Sequence, residues 1–232
     1  MSNSILYRKR VKLSDFQTCA DRITSLIENG SFDDAFKVLD ELRIGPNTLN
    51  PKSRNYAWWL IEALRRTSVY NEHKEKLNYL RFLELFLNRG VDVNQQDRYN
   101  ITALSWAVCY YQSEACRLLL DKGALPDMPD YSGRTPLDYA IQEFYNPSHK
   151  DSEVIMSDIM RDLLLHGADP NRSYPSANEI EKSNRWLFVN GESGDTYLSP
   201  MHLLQTQAPR CGYESHIEDE PRLKIVLTTI PR

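Results

Sequence analysis

A chain of 232 residues that is 41% hydrophobic and 26% charged has the composition of an ordinary folded protein, and its formal net charge of −4 argues against a general nucleic-acid binder, because neutralising phosphates needs a basic surface. No apolar run approaches the roughly 20 residues that span a bilayer, and the start, Met1 to Tyr7, lacks the apolar stretch of a secretory signal. Four scattered cysteines, Cys19, Cys109, Cys116 and Cys211, are too few for a disulfide framework or a zinc site and point to a reducing compartment, cytosol or nucleus.

Residues 1–13 read as a basic tail carrying Arg8-Lys9-Arg10-Val11-Lys12: a solvated end, a nuclear-import segment or a site for an acidic partner. Ser14 to Gln17 read as a helix start, with Ser14 as N-cap and Gln17 placed for a capping box. Phe16, Cys19, Ala20, Ile23, Leu26 and Ile27 follow at helical spacing until Gly30, and a second helix carries Phe32, Ala35, Phe36, Leu39 and Leu42. Its Asp33, Asp34, Lys37 and Asp40 form a polar outer face. A helix through Trp58, Trp59, Leu60 and Ala63 comes next, and its partner runs through Leu77, Leu80, Phe82, Leu83, Phe86 and Leu87 to Gly90.

From Asp97 onward the chain repeats itself. Asp97, Asn100, Thr102, Leu104 and Ala107 recur as Asp130, Gly133, Thr135, Leu137 and Ala140, each 33 residues later. Self-similarity at that period means stacked units without a single globular core. Physical roles follow from the residue types. Each Asp can take its own downstream backbone N–H groups and tighten a turn. Gly133 suits a left-handed conformation, with Asn100 the next-best residue. Thr135 can cap a helix whose first turn accepts Pro136. Ala107 and Ala140 let neighbouring helices approach closely. The later unit is stretched, since Gly123 and Gly167 lie 44 residues apart, and a lengthened outer helix is expected from Ser152.

After Asn171 the pattern breaks until Ser199-Pro200-Met201-His202-Leu203-Leu204. The intervening Trp186-Leu187-Phe188-Val189, Asn190-Gly191 and Thr196-Tyr197-Leu198 read as a β-hairpin. A last helix carries Leu223, Ile225, Val226, Leu227 and Ile230.

The runs Gly133-Arg134-Thr135-Pro136-Leu137-Asp138-Tyr139-Ala140 and Leu163-Leu164-Leu165-His166-Gly167-Ala168-Asp169-Pro170-Asn171 resemble the ankyrin repeat. The resemblance implies an all-α solenoid of about five helix pairs over residues 14–232, with units near 14–45, 51–90, 97–123, 130–167 and 195–230 and an inserted hairpin at 172–198. It also implies a non-catalytic module that holds a protein partner, needs no cofactor or metal, and contacts the partner through finger tips and inner helices. Carried over position by position, the second unit offers Arg54, Asn55, Arg65 and Arg66. The third offers Gln96, Arg98, Tyr99, Ile101, Cys109 and Tyr110, and the fourth Pro129, Tyr131, Ser132, Arg134, Gln142 and Glu143. The set is rich in Tyr and Arg, which are enriched at interface hot spots. Trp186 and Phe188 of the insert either pack on the stack or form an apolar patch that marks a partner site.

Three other readings stand beside this one. The acidic Glu214, Glu218, Asp219 and Glu220 before an apolar end are similar to the C-terminal signals of bacterial type IV-secreted ankyrin effectors, which act in host cytosol. Cys211 with His202 or His216 could make a thiol enzyme. Arg8-Lys9-Arg10 would suit a nuclear co-regulator. No glycine-rich phosphate loop, HExxH pair or Gly-x-Ser-x-Gly elbow is present.

Overall fold

A computed structural model describes residues 13–41, 73–97, 99–145 and 152–172. The regular structure among them is helical: α1 (Leu13–Glu28), α2 (Phe32–Glu41), α3 (His73–Leu87), α4 (Ala103–Cys109), α5 (Ser113–Asp121), α6 (Pro136–Tyr145) and α7 (Ser152–Leu165). The expected Trp58 helix, the hairpin at 172–198 and the unit at 195–230 lie outside the described residues. The chain divides into two compact units, Met1–Arg98 and Tyr99–Arg232.

In the first unit α1 begins at Leu13, so Ser14 falls inside the helix instead of capping it. Helix ends are soft to a residue or two. The stop is sharper. Gly30 (φ +75°) donates to the Ile27 carbonyl at 2.9 Å and Ser31 donates to that of Leu26 at 2.8 Å, the two bonds of a Schellman closure. The chain reverses into α2, and α3 packs against the pair. Ile23, Ile27, Ala35, Val38 and Leu39 meet Phe82, Leu83, Phe86 and Leu87 in a core where each is 6% exposed or less. Leu77, expected in this core, is 65% exposed, and Tyr79 is buried instead. The buried stripe runs 79, 82, 83, 86, 87, a helical i, i+3, i+4, i+7, i+8 series that leaves Leu77 on the opposite side.

Polar groups lock the same contact. Asn78 Nδ2 donates to the Glu28 carbonyl at 2.9 Å, covering an open C-terminal acceptor of α1, and the Tyr79 hydroxyl donates to Glu28 Oε1 at 3.2 Å. Phe36 stacks on Phe82 with ring centroids 4.6 Å apart, while Arg89 lies 4.5 Å over Phe36 and reaches both oxygens of Asp40.

The second unit is two helical layers. Inner helices α4 and α6 pack side by side, as do outer helices α5 and α7, and each inner helix pairs with the outer helix that follows it. Leu104, Ala107, Val108, Leu137, Ala140 and Ile141 from the inner layer meet Cys116, Leu119, Met156, Ile159 and Leu163 from the outer, all at 1% exposure or less. The fully buried Ala107 and Ala140 permit the close inner-helix approach. Thr102 Oγ1 caps α4 by accepting from the Ser105 N–H at 3.2 Å. α6 starts at Pro136, and Asp138 reaches back to take the Thr135 N–H at 2.8 Å and its hydroxyl at 3.0 Å.

Three polar links then stitch the fourth repeat to itself and to the third. Arg117 donates through Nε and Nη2 to Asp162 from α5 to α7, at 3.1 and 2.9 Å. Arg172 Nη2, beyond α7, donates to the fully buried Asp138 at 2.5 Å and to the Gly133 carbonyl at 2.7 Å. The Asp169 N–H donates to both oxygens of Asp127, at 3.2 and 3.0 Å.

Two predictions follow from these links. Asp138→Ala leaves the largely covered Arg172 guanidinium without its carboxylate and should lower unfolding free energy by about 3 kcal/mol in a denaturant titration. Asp127 is the opposite case. Burial holds its carboxyl above the usual aspartate range, against the opposing pull of the Asp169 N–H and Arg172, so folding penalises its charged form. A raised folded pKa means the stabilising contribution is complete below the unfolded value and is lost as pH rises through the folded one. Asp127→Asn retains an oxygen acceptor and removes the charge, as Asn94 and Asn171 already do at the matching positions. The variant should melt roughly 1–2 °C above the parent at pH 7, with the gain vanishing toward pH 3.

Candidate functional site

The finger between α5 and α6 is organised by one carboxylate. Asp130 Oδ1 accepts the Ser132 and Arg134 N–H groups at 2.7 and 3.0 Å, while Oδ2 accepts the Tyr139 hydroxyl at 2.6 Å and lies 3.4 Å from Arg134 Nη2. The Gly133 N–H closes a β-turn on the Asp130 carbonyl at 3.0 Å, with Gly133 left-handed at φ +80°. At the position 33 residues earlier, Asn100 has φ +59° and takes the same conformation with a side chain that tolerates it. Tyr131 is thereby lifted to the turn's tip, 50% exposed. Its N–H donates to the Tyr99 carbonyl at 3.0 Å, and Tyr99 is itself 44% exposed. Adjacent fingers thus present two tyrosines side by side.

Arg134 is placed differently. Its guanidinium lies 4.5 Å over the Tyr139 ring as well as beside Asp130, and its side chain is 26% exposed. It ties the finger to α6. Burial, then the bond to Asp130, pushes the Tyr139 hydroxyl up, so it stays protonated as the donor in that clamp.

Ile101, Tyr110, Ser132, Gln142 and Glu143 are half-buried members of the same unit, and Pro129 is exposed. Tyr110 and Glu143 occupy matching positions on the neighbouring inner helices. Gln96 is half-buried in the first unit. Arg54, Asn55, Arg65, Arg66, Arg98, Trp186, Phe188 and Cys211 lie outside the described residues. Trp106 is the inner-helix residue that the position-by-position reading passes over. It is half-buried one turn before Tyr110, and the two rings are 5.3 Å apart. The i, i+4 spacing carried that signal.

The thiols of inner-helix Cys109 and outer-helix Cys116 are held protonated. Burial is the main cause at both: it pushes Cys109 up to about 12, with Arg134 opposing and Glu143 adding, and raises Cys116 well above the usual thiol range. Among the described residues no helix is long and apolar enough to cross a membrane.

Comparison with known proteins agrees with this geometry. Residues 73–174 match the family of ankyrin repeats, in three copies. The chain is 38% identical over 102 residues to an ankyrin repeat protein of Acanthamoeba polyphaga mimivirus, covering 43% of this chain and 58% of that one. It is 34% identical over 124 residues to the E3 ubiquitin-protein ligase Ufd4 of Drosophila melanogaster (53% of this chain, 4% of that one). It is 30% identical over 103 residues to an ankyrin and IPT/TIG repeat-containing protein of Schizosaccharomyces pombe, covering 41% of this chain and 9% of that one. The chain therefore spans a small fraction of the last two relatives and little more than half of the first. With the 33-residue period, the capped inner helices and the paired fingers, residues 73–174 are ankyrin repeats, a protein-interaction module.

Proposed function

We propose that the finger tips and inner-helix face of the second unit hold a protein partner, and that this is the main work of the chain. The observation that carries the reading is the pair Tyr99 and Tyr131. Both are large, both are about half exposed, and a backbone bond between their fingers fixes their spacing. Aromatic side chains on a preformed support lose little rotamer entropy on binding and supply most of the energy at interface centres. Arg134 supports the surface from beneath, through Asp130 and Tyr139, instead of leading the contact. By alignment with the repeat, Arg54, Arg65 and Arg66 of its second copy, Gln96 and Arg98 are further candidates, as are Trp186 and Phe188 of the insert.

A secreted bacterial effector role rests on the pattern of residues 211–232, and the three relatives named above, from a virus, a fly and a yeast, add nothing to it. Deleting that segment and assaying delivery into host cells decides it: normal delivery removes the tail as a signal.

Stability and binding separate the roles of the surface residues. Tyr99→Ala with Tyr131→Ala should leave thermal unfolding within about 2 °C of the parent, as expected for exposed side chains, yet lose the proteins captured by the parent from a lysate. Arg134→Ala should cost about 1–2 kcal/mol of stability by removing partners from Asp130 and Tyr139. A photo-crosslinking residue at 131 should label the captured protein, whereas one at the exposed outer-helix position 154 should not. Equal labelling from both would remove the face assignment.

A further inference from the structure

The turn between α4 and α5 is closed by a tyrosine in a conformation that tyrosine dislikes. Three other helix ends here, at Gly30, Gly123 and Gly167, use the same pair of Schellman bonds with a left-handed glycine. At Tyr111 the bonds are identical in kind, to the Val108 carbonyl at 2.9 Å and from Gln112 to that of Ala107 at 2.9 Å, but φ is +57° on a residue with a bulky side chain. Such a position is strained, and an observed outlier points to a compensating role. Tyr111 has one: its hydroxyl donates to Glu143 Oε2 on the next inner helix. The rings of Trp106 and Tyr110, one turn apart on α4, lie against one another with 5.3 Å between centroids, and Tyr110 matches Glu143 in position on the packed helix α6.

Resting on the protein-binding reading above, we propose that Trp106, Tyr110 and Glu143 form a seat for a basic side chain, a lysine or arginine of the partner, with Tyr111 as the positioning residue that holds the carboxylate. Electron-rich ring faces attract a cation, and a carboxylate beside them adds charge and a hydrogen-bond acceptor. The charge distribution favours the same occupant. Residues 99–232 carry 19 acidic against 12 basic side chains, while residues 1–98 carry 13 against 16. All four arginines described in the second unit are already in ion pairs with carboxylates of that unit. An incoming cation therefore approaches a unit of net negative charge whose described arginines are already paired, and its approach is steered by that field.

The test uses the full chain and a fluorescein-labelled dodecapeptide of alternating lysine and serine, beside the same peptide with every lysine acetylated. The lysine peptide should bind, weaken as salt rises, and lose affinity on acetylation. Glu143→Gln and Trp106→Leu should each weaken it by about threefold to tenfold. Tyr111→Phe, which keeps the ring but not the hydroxyl, should weaken it too. Tyr111→Asn, a residue more at ease in the left-handed region, should keep the melting temperature within about 2 °C and still weaken binding. A purely structural tyrosine would show no such split. Equal binding of the acetylated peptide, or unchanged affinity in both Glu143→Gln and Trp106→Leu, overturns the cation seat. Loss of partner capture in the Tyr99 and Tyr131 double variant would then still uphold the face as a protein-binding surface. Crosslinking that fails to distinguish position 131 from position 154 removes that broader reading on its own.

Discussion

The Asp130 carboxylate is the constraint on which the candidate surface depends. One side chain accepts two backbone N–H groups of its own turn, a tyrosine hydroxyl from α6, and the flank of an arginine. A finger of about a dozen residues has few apolar contacts, so its shape has to come from polar closure. Because the carboxylate is buried, each bond is strengthened by the low local dielectric, and each loss is correspondingly costly. The finger is thus rigid where it meets α6 and exposed where it ends, at Tyr131. That combination suits an interaction surface built on repeats: exposed aromatic tips held by buried polar groups.

The same division between support and contact appears at the ends of the inner helices. Glycine would close the α4–α5 turn without strain, as it does at Gly123 and Gly167, and would leave nothing to hold Glu143. Tyrosine gives up backbone comfort and gains a hydroxyl that spans from one repeat to the next. Evolutionary tuning of a repeat scaffold is easiest at such positions, since each repeat's stability rests on itself and its nearest neighbours. A local cost at one turn leaves the rest of the stack intact.

How much of this was legible follows from what kind of signal each residue sends. The period of 33 and the Thr-Pro helix start read directly, because they are spaced along the chain, and α6 begins at Pro136 with α7 at Ser152 as expected. Asn100 read correctly as a stand-in for glycine, since its short polar side chain tolerates positive φ. Tyr111 did not read, because nothing in a tyrosine announces a left-handed residue. Leu77 and Tyr79 exchanged places for a similar reason. Hydrophobicity ranks leucine first, whereas the helical phase set by Phe82, Leu83, Phe86 and Leu87 selects position 79, where the Tyr79 hydroxyl can also meet Glu28. Arg134 reads from the sequence as a contact residue because arginine so often is one, and its pairing with Asp130 and Tyr139 is no part of that signal. Its inward turn depends on the distance between a finger and a helix, which no spacing along the chain encodes.

The links between repeats carry a further consequence for how the stack responds to charge. Asp127 and Asp138 lie in adjacent repeats, share the neighbourhood of Arg172, and answer it differently. Asp138 is fully covered and directly paired with that guanidinium, so its charge is neutralised at close range. Asp127 is only partly covered, feels Arg172 at longer range, and has Asp169 and Asp138 as like-charged neighbours. The loop after α7 is therefore held by one satisfied carboxylate and one that is ill at ease. Restoring the amide that the matching positions Asn94 and Asn171 carry would relax the second without disturbing the first. The retention of an acid there makes the junction of the third and fourth repeats a place where stability is lost as pH rises through the raised aspartate pKa.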